Sequence, residues 1–331
     1  MKLGTLKDGT RDGTLVVVAR DLETAVKAAR VAPTLQMALD NWARIGPALA
    51  KLSADLDAGK AAGAFAFDPR QVAAPLPRAY QWVDGSAYLV HAERVRRSRG
   101  AELPQSAYEE PLMYQGGSDT MLGPTDDVVL GDEAWGIDFE AEIAAVVDDV
   151  PMGASEAECA RRIRLLAIVN DVSLRGLIPA ELAKGFGFLH GKPSTAFAPV
   201  MATPDELGEA WRGGTIHLPL LSTLNGKVVG RPDAGADMQF SLPRLIAHSA
   251  KTRALAAGTI VGSGTVANRD EARGCSCIAE IRALETIKSG TPATPFMRFG
   301  DTIRIDMADA AGRSIFGAIE QKVAKYAGPD K

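Results

Sequence analysis

The segment GIDFEAEIAAVVDD, residues 136–149, combines the apolar pattern of a strand with two glutamates inside it. Ile143 and Val146 are among its apolar positions, and turn-forming glycine and aspartate residues bound the run. Because side chains on a strand return to the same face every second residue, Glu140 and Glu142 project together, about 6–7 Å apart. Like charges on one face of a sheet are destabilising. The segment therefore predicts a strand whose acidic face needs a counter-charge.

A third carboxylate follows another apolar run. Residues 165–169 are typical of a short strand, and Asp171 falls where it ends, a place where scaffolds present side chains to a cleft. If Asp171 meets Glu140 and Glu142, each pair of carboxylates about 4–5 Å apart repels by roughly 3–4 kcal/mol at an effective dielectric constant near 20. A shared proton or a divalent cation would relieve this, and oxygen ligands select Mg²⁺, Mn²⁺ or Ca²⁺ over zinc. Spacing alone supports a metal only weakly, because exposed strand faces often carry such pairs.

The composition narrows the class of protein. With 331 residues and 46% hydrophobic content, the chain can bury one large core or two domains. A formal net charge of -4 offers no basic footprint, so neither nucleic acid nor an anionic membrane is an expected partner. No apolar run approaches the roughly 18 residues that span a bilayer, and the N-terminus lacks a signal-peptide pattern. These features predict a cytoplasmic protein.

The cysteines predict neither a disulfide framework nor a structural zinc site. The chain contains Cys159, Cys275 and Cys277, which are few and irregularly spaced. Cys275 and Cys277 form a C-x-C pair without a second pair elsewhere in the sequence. Buried, reduced thiols are therefore expected.

The N-terminal region predicts a small α+β domain. Residues 3–21 resemble two strands joined by a Gly/Asp turn. An apolar stripe at three- and four-residue steps then predicts a helix, with Gly46–Pro47 kinking or splitting it. The stripe consists of Leu39, Trp42, Ile45, Leu49, Leu52 and Leu56. An Ala/Gly/Pro-rich stretch at residues 60–79 is typical of a linker, so we place one domain at 1–75 and a second at 76–331.

The second domain is predicted to be rich in strands. Asn225–Gly226 between apolar runs indicates a hairpin, and an alternating segment from Asp301 to Gln321 indicates another that turns at Ala311–Gly312. Capping and proline signals predict three helices. They run from about Ser86 to Arg99, from Ser155 to about Leu166, and from Ser241 to Leu255. Strands interrupted by few helices, without alternation, predict an α+β fold with a mostly-β catalytic domain.

Four motifs in order resemble the fumarylacetoacetate hydrolase family. They are DFEAE, VNDVSLR, GKPSTAFAP and GSGTV, and the similarity covers residues 80–321. The small N-terminal domain is also similar to that of two-domain bacterial members. The resemblance implies a mixed β-sandwich or β-roll of the fumarylacetoacetase C-terminal type.

The same resemblance implies a metal site. Glu140, Glu142 and Asp171 match the family's cation ligands. The fumarylacetoacetase branch adds an aspartate seven residues before a histidine, and DGSAYLVH places Asp84 and His91 at this spacing. The expected cofactor is a divalent cation, Mg²⁺ first, with Ca²⁺ or Mn²⁺ as alternatives.

His91 is implied to be the base that activates water. On its residues alone, a histidine at a helix start is more often structural, and the resemblance reverses that interpretation. The family base is oriented by a glutamate after the GSGT motif, for which Glu280 is the first candidate and Glu285 the second. His190 lies two residues before Lys192, which the resemblance also marks as functional, and is a competing base.

Further residues match substrate-contact positions of the family. Lys192 is implied to stabilise an enolate, Thr265 to serve an oxyanion, and Arg99 and Tyr114 to hold a substrate carboxylate. Arg175 matches a family arginine, for which a structural role is the alternative. Without the resemblance, each residue is equally well interpreted as an ordinary surface or half-buried side chain.

A dinucleotide-binding interpretation of VGSGTVA is not favoured. That fingerprint needs a following amphipathic helix within a βαβ unit, whereas the sequence continues with the polar NRDEARG. A glycine-rich turn that offers backbone N–H groups to an oxyanion fits better.

Together these features predict a metal-dependent hydrolase that cleaves a carbon–carbon bond in a β-diketo acid. The example is fumarylacetoacetate, cleaved to fumarate and acetoacetate in aromatic amino-acid catabolism. The alternatives on this scaffold are an acylpyruvate hydrolase, a decarboxylase and a 2-oxo-alkenoate hydratase or isomerase. A non-catalytic, metal-stabilised binding protein is the alternative from another class. The expected partners are a small diketo acid and a second copy of the chain in a homodimer.

Overall fold

The computed structural model describes residues 1–328, and strands dominate it. The α-helices are α1 Leu35–Leu39, α2 Trp42–Asp57, α3 Leu89–Arg97, α4 Glu156–Ala160, α5 Ile178–Leu182, α6 Leu242–Ser249 and α7 Ile278–Ser289. The strands are β1 Lys2–Leu6, β2 Thr14–Val18, β3 Thr24–Lys27, β4 Phe65–Ala66, β5 Trp82–Gly85, β6 Met113–Gly116, β7 Val128–Leu130, β8 Ile137–Asp138, β9 Ala141–Val147, β10 Ile163–Asn170, β11 Ser173–Leu174, β12 Ala196–Phe197, β13 Met201–Ala202, β14 Trp211–Arg212, β15 Thr215–Ile216, β16 Leu220–Leu224, β17 Lys227–Gly230, β18 Ile260–Gly262, β19 Thr302–Met307 and β20 Ile319–Lys325.

Two mixed sheets form the body of the protein. The larger sheet has the order β4-β3-β2-β1-β13-β10-β9-β18-β5-β6, with β12 also paired to β10. The smaller sheet has the order β17-β16-β19-β20-β7. Ile143 and Ala145 of the large sheet share one apolar core with Ile305 and Val323 of the small sheet. The sheets therefore pack as a sandwich, and the predicted α+β, mostly-β architecture is confirmed.

The central strands of the large sheet are buried on both faces. Alternate residues of β9, among them Ala144 and Val146, belong to a second core on the opposite side of the sheet. That core also contains Leu15 from β2 and Leu49 from α2. Such two-sided burial explains why the segment is nearly continuously apolar, and it puts the glutamate of β9 in a setting without bulk water.

The N-terminal strands continue the large sheet. Strand β1 pairs antiparallel with β2 on one side and with β13 on the other, where Lys2 is opposite Ala202. The predicted boundary near residue 75 falls between β4 and β5, and dividing the chain there stays a prediction.

Several predicted elements are confirmed and others are wrong. The hairpin at Asn225–Gly226 joins β16 to β17, and both turn residues have the positive φ that such a tight turn requires. The helical stripe is divided at residues 40–41, whereas α2 continues through Pro47. The helix that begins after Ser155 ends at Ala160 instead of Leu166, because the apolar residues that follow form β10.

Two other helix predictions also needed correction. The helices that were expected to reach Arg99 and Leu255 end at Arg97 and Ser249. Helix α7 was not predicted at all. In the described residues all three cysteines are free and buried, as predicted. Over residues 1–328, no helix combines the length and apolarity needed to cross a bilayer.

Replacing Leu49 tests the packing of the N-terminal helix. Leu49 is fully buried against the sheet. Leu49→Ala should lower the free energy of unfolding by about 2–5 kcal/mol, because it removes apolar contacts and leaves a cavity. Denaturant melts followed by circular dichroism measure this, with Met37→Ala, at a position that is 50% exposed, as the control. Equal melts for the two variants would contradict the packing described here.

Candidate functional site

Three carboxylates lie on one face of the large sheet, at the same end of β5, β9 and β10, with β18 between β5 and β9. Asp84 follows Trp82 on β5 by two residues, and Glu142 precedes Ala144 on β9 by two. Asp171 comes directly after β10. Trp82, Ala144 and Val169, each two residues from one of these acids, all belong to the second core, so strand alternation places the three acids on this core's face.

The three carboxylates converge in a buried cluster. Asp84, Glu142 and Asp171 each offer an oxygen within 4.8 Å of the others. Asp84 is 6% exposed, and the other two are inaccessible. The backbone N–H of Gly264 donates to Asp84 Oδ1 at 2.8 Å. Gly262 makes room for this carboxylate, because a Cβ there would lie 2.4 Å from the same oxygen. The sheet is thus built to hold Asp84 inward.

Glu142 supplies the main indication of a ligand. Among the described residues, neither of its buried carboxylate oxygens has a hydrogen-bond partner. A buried carboxylate left in this way is costly unless it carries a proton or meets a cation. The donor set of Asp84, Glu142 and Asp171 is all oxygen, which suits a hard divalent cation. The residues present therefore fit the cation that the sequence implies.

Glu140 lies beside this cluster and is compensated by protein groups. Lys192 Nζ donates to Glu140 Oε2 at 2.5 Å, and Arg175 donates to Oε1 at 2.6 Å. The hydroxyls of Thr265 and Ser173 donate to the same carboxylate at 2.7 and 3.0 Å. Burial opposes ionisation of Glu140, but Arg175 and Lys192 outweigh it and hold its pKa well below the usual range. Glu140 is therefore a stable anion even without a metal.

Lys192 joins Glu140 to the cluster. Its ammonium group is buried and also donates to Asp171 Oδ2 at 2.5 Å. Tyr114 and Thr195 donate to the two oxygens of Asp171, each at 2.7 Å. Burial opposes the charge on Lys192, but Asp171 and Glu140 raise its pKa above the ordinary value. The lysine is therefore held as a cation at the edge of the acidic cluster.

The remaining carboxylates have no such compensation. Burial, followed by the charge of Asp171, raises the pKa of Asp84 to about 8. Burial and the neighbouring Asp84 raise the pKa of Glu142 well above its ordinary value. Two cations, Lys192 and Arg175, serve four carboxylates here, so at least two negative charges lack a partner when all four are ionised. A divalent cation would balance that charge.

A histidine–glutamate pair adjoins the acidic cluster. His91 near the start of α3 has Nδ1 2.9 Å from Oε2 of Glu280 in the first turn of α7. Arg94, one turn further along α3, donates to Oε1 of the same carboxylate at 2.5 Å. Burial opposes ionisation of Glu280, but hydrogen bonds from His91 and Arg94 lower its pKa. His91 also lies close enough to Glu140 to help lower the pKa of that carboxylate.

Asp138 and Arg175 couple the start of α7 to the cluster. The Asp138 carboxylate accepts hydrogen bonds from the N–H groups of Ile278 and Ala279 at 2.7 and 2.9 Å. Arg175 donates to Asp138 at 2.9 Å while its other nitrogen holds Glu140. This arrangement fixes the helix that carries Glu280 relative to the acidic strands. Arg175 therefore has a structural position, the alternative that the sequence left open.

Some of the other predicted site residues contact the acidic cluster and others do not. Tyr114, Lys192 and Thr265 reach the cluster, but the hydroxyls of Tyr114 and Thr265 are donated to carboxylates. Arg99 is exposed just beyond α3, where it lines a surface cavity of about 380 Å³, and it has no hydrogen bond to the cluster among residues 1–328. Glu285 accepts hydrogen bonds from residues 293–294, away from His91. The carboxylate that reaches the histidine belongs to Glu280.

The competing base, His190, is exposed and has no hydrogen bond to the cluster among residues 1–328. The side chain of His190 is 77% exposed and lies 3.8 Å from Glu181. Glu181 accepts three backbone hydrogen bonds, from Leu189, His190 and Gly191, at 2.7–3.1 Å. It thereby fixes the segment that carries Lys192 into the site.

Sequence reasoning missed several contributors. They are Arg94, Asp138, Ser173, Glu181 and Thr195. Only Arg94 had a usable signal, since it lies one turn after His91 on a predicted helix. The contacts of Asp138, Ser173 and Thr195 join residues at least 24 positions apart, and Glu181 binds backbone groups 8–10 residues further along the chain.

The cation-free protein should lose stability as the pH rises. Asp84 and Glu142 keep protons in the folded state that the unfolded chain releases near pH 4, so the free energy of unfolding falls between about pH 4 and 8. Chelator-treated protein should therefore melt at a lower temperature at pH 8 than at pH 6. Added Mn²⁺ should remove most of this difference, because it stabilises the ionised carboxylates. A melting temperature that rises over this range without cation would contradict the assignment.

Two family models match almost the whole chain. The model described as fumarylacetoacetate (FAA) hydrolase C-terminal matches residues 81–324. The model described as fumarylacetoacetase N-terminal domain 2 matches residues 1–78.

Curated relatives are distant and match in part. The chain is 28% identical over 159 residues to a 2,4-didehydro-3-deoxy-L-rhamnonate hydrolase of Sphingomonas sp. strain SKA58, covering 47% of this chain and 53% of the relative. It is 26% identical over 196 residues to the oxaloacetate tautomerase YisK of Bacillus subtilis strain 168, covering 58% and 60%. The chain thus spans little more than half the length of these relatives.

Several solved structures are similar to the chain over their full length. Maleylpyruvate hydrolase from Sphingobium sp. SYK-6, in complex with manganese(II) ion and pyruvate, has a TM-score of 0.65 and 16% sequence identity. The match covers 98% of this chain and 99% of that one. At this sequence identity, the similarity shows a shared fold.

Proposed function

Because the chain belongs to the fumarylacetoacetate hydrolase family, we propose that it is a metal-dependent hydrolase of a carbon–carbon bond in a β-diketo acid. Proteins that are similar to this chain include a hydrolase, a tautomerase and an isomerase. The observation that supports hydrolysis is the His91–Glu280 pair beside a buried carboxylate cluster. A non-catalytic binding protein would gain nothing from a base oriented by a buried carboxylate.

His91 is suited to remove a proton from water. Ionised Glu280 only accepts hydrogen bonds, so Nδ1 of His91 carries the hydrogen and Nε2 is free as a base. When Nε2 takes up a proton, the neighbouring carboxylate stabilises the imidazolium. Arg94 holds Glu280 from the other side and keeps it ionised. The pair is therefore oriented before substrate binds.

Lys192 and the carboxylates would organise the substrate. Asp84, Glu142 and Asp171, with Glu140 beside them, would hold a divalent cation. When bound, such a cation supplies Lewis-acid polarisation of substrate oxygens. Lys192 presents a fixed positive charge where an enolate oxygen would develop. Mn²⁺ is a reasonable first ion to test because the similar maleylpyruvate hydrolase structure contains it, with Mg²⁺ and Ca²⁺ as alternatives.

A panel of 2,4- and 3,5-diketo acids tests the proposed reaction. Fumarylacetoacetate, maleylpyruvate and acetylpyruvate would each be offered with Mn²⁺, with Mg²⁺ and with chelator. We expect at least one to be cleaved into two acids, detected by chromatography, and no cleavage with chelator. Failure of the whole panel with both cations would contradict the hydrolase assignment.

Tautomerisation of a 2-oxo acid is the second candidate. It is supported by the similarity to an oxaloacetate tautomerase, and a single histidine base can move a proton between carbon and oxygen. Enol-oxaloacetate added to the same panel separates the two. Ketonisation above the buffer rate, without cleavage of any diketo acid, would favour the tautomerase.

The homodimer stays a proposal, with support from an exposed apolar loop. Leu182, Phe186 and Leu189 are 51%, 100% and 76% exposed on the segment that leads to Lys192. Exposed apolar groups of this kind are typical of an interaction surface. Light scattering at micromolar concentration should give twice the 34.9 kDa mass of one chain. A monomer mass would contradict the proposal.

A further inference from the structure

A buried thiol adjoins the histidine–glutamate pair and has no part in the chemistry proposed above. Cys277 immediately precedes α7, and its Sγ lies 4.0 Å from Nδ1 of His91. The same sulfur accepts a hydrogen bond from the backbone N–H of Glu280 at 3.4 Å. Sulfur, imidazole nitrogen and carboxylate oxygen therefore come within 4.8 Å of one another.

We propose that His91, Cys277 and Glu280 form a second cation site, selective for a thiophilic ion such as Zn²⁺ or Cd²⁺, whose occupancy inactivates the enzyme. The site is chemically distinct from the all-oxygen cluster. Thiolate and imidazole favour Zn²⁺ and softer ions, whereas carboxylates alone favour Mg²⁺, Mn²⁺ or Ca²⁺. The carboxylate cluster should therefore bind hard cations, and the neighbouring site with Cys277 should bind softer ones.

The observed distances are close to those of a tetrahedral site. Zinc with a Zn–S bond near 2.3 Å and Zn–N or Zn–O bonds near 2.0–2.1 Å would place sulfur about 3.6 Å from nitrogen, and nitrogen about 3.4 Å from oxygen. The corresponding separations are 4.0 Å and 2.9 Å. Small side-chain rotations would thus bring the three atoms into place, and a solvent molecule would complete the coordination.

Access and surrounding charge allow binding. The His91 side chain is 16% exposed, so an ion can approach from its side, although Cys277 is fully buried. Arg94 contacts Glu280, but it holds Oε1 of that carboxylate and leaves Oε2 towards the histidine. Burial raises the pKa of the Cys277 thiol, Asp138 adds to this effect and Arg175 opposes it, so the charges of Asp138 and Arg175 act on the thiol in opposite directions. The local charge is therefore not prohibitively positive.

Inactivation follows from the tautomer of His91. In the active arrangement Nδ1 carries the hydrogen and Nε2 accepts a proton from water. An ion bound at Nδ1 requires that nitrogen to be unprotonated, so the ring hydrogen moves to Nε2. The Cys277 proton passes to solvent when the thiolate binds. A histidine in this form cannot accept the proton of water, so turnover stops without loss of the cation in the acidic cluster.

Titration of the Mn²⁺-loaded protein with Cd²⁺ tests binding without reference to activity. A Cd–thiolate bond produces an ultraviolet charge-transfer absorption, which should appear with one equivalent of ion. Cys277→Ser should abolish it and still cap α7, because serine is a favoured residue before a helix. Cys275→Ser, at a buried thiol two residues away, is the matched control and should retain the absorption.

Inhibition by Zn²⁺ is the second measurement, and it alone depends on the proposed function. Relative to each variant's own zinc-free rate, Cys277→Ser should raise the inhibitory Zn²⁺ concentration by at least about tenfold, the lower end of what loss of a supporting group costs a metal site. Unchanged Cd²⁺ absorption in Cys277→Ser would overturn the second site. Unchanged Zn²⁺ inhibition in that variant would overturn the inactivation, since zinc would then be acting at the carboxylates. An enzyme without measurable turnover would contradict the proposed function and leave the Cd²⁺ result valid.

Discussion

His91→Ala should lower kcat by about 10²–10⁴-fold, the usual contribution of a general base, while the divalent cation stays bound. The imidazole contacts Glu280 and is not one of the expected cation ligands. Its removal therefore leaves the three clustered carboxylates in place. Steady-state turnover and metal analysis of the same preparation measure both effects. His190→Ala is the matched control, because that side chain is exposed and outside the cluster.

Glu280 should behave as part of the same unit. Glu280→Gln can still contact the ring, but an amide does not stabilise the imidazolium and can hold the wrong tautomer, so kcat should fall. The double variant should be little worse than the more damaging single variant, because residues that act together are not additive. Loss of turnover in His190→Ala, with His91→Ala near normal, would place the base beside Lys192 instead. Loss of cation in His91→Ala would make His91 a ligand.

The acidic site could be predicted because its signals are local in sequence. Glu142 lies on β9 and Glu140 directly precedes this strand, and the alternation of side chains in this extended segment predicts that both project from one face. Their different environments could not be predicted in this way. Glu140 is compensated by Arg175 and Lys192, which approach from other segments, whereas Glu142 has no such neighbour among residues 1–328. Only the three-dimensional arrangement distinguishes a salt-bridged glutamate from an orphaned one.

Elements with an ambiguous sequence pattern were predicted wrongly, because contacts between distant segments decide their structure. Residues 163–166 were predicted to continue a capped helix, yet they form the first half of β10, because pairing with β9 and burial in the large sheet outweigh helix propensity. Helix α7 has a cysteine before its first residue, and Cys277 is a weaker sequence signal than serine or aspartate. Arg99, which the resemblance matches to a substrate-contact position, is exposed beyond α3, and its role in substrate binding stays a prediction.

Glu142→Gln should abolish tight cation binding and reduce turnover by at least about 10²-fold at micromolar Mn²⁺. Loss of a residue that only supports a metal ligand costs up to about 10²-fold, so loss of a ligand should cost at least as much. The carboxylate is inaccessible to solvent and has no protein donor among the described residues, so nothing else there is positioned to stabilise its charge. Metal analysis after gel filtration and turnover at rising Mn²⁺ measure the two effects. High Mn²⁺ should rescue activity only in part, because Asp84 and Asp171 remain.

The same substitution should make the cation-free protein more stable at pH 8. Burial and Asp84 raise the pKa of Glu142, so ionising it in the folded state costs free energy that an amide does not incur. Wild-type protein should recover stability when Mn²⁺ is added, by about 2.7 kcal/mol at one hundred times its dissociation constant. Glu142→Gln should gain much less. Glu320→Gln, at an exposed strand position paired with Arg304, should respond to Mn²⁺ as the wild type does. A Glu142→Gln protein that is less stable without cation, and equally stabilised by Mn²⁺, would show that the carboxylate serves the fold instead of a ligand. A variant that is more stable without cation, and is little stabilised by Mn²⁺, would mean that β9 carries a negative charge that the fold alone does not stabilise. The counter-charge that residues 136–149 require would then come from a bound cation.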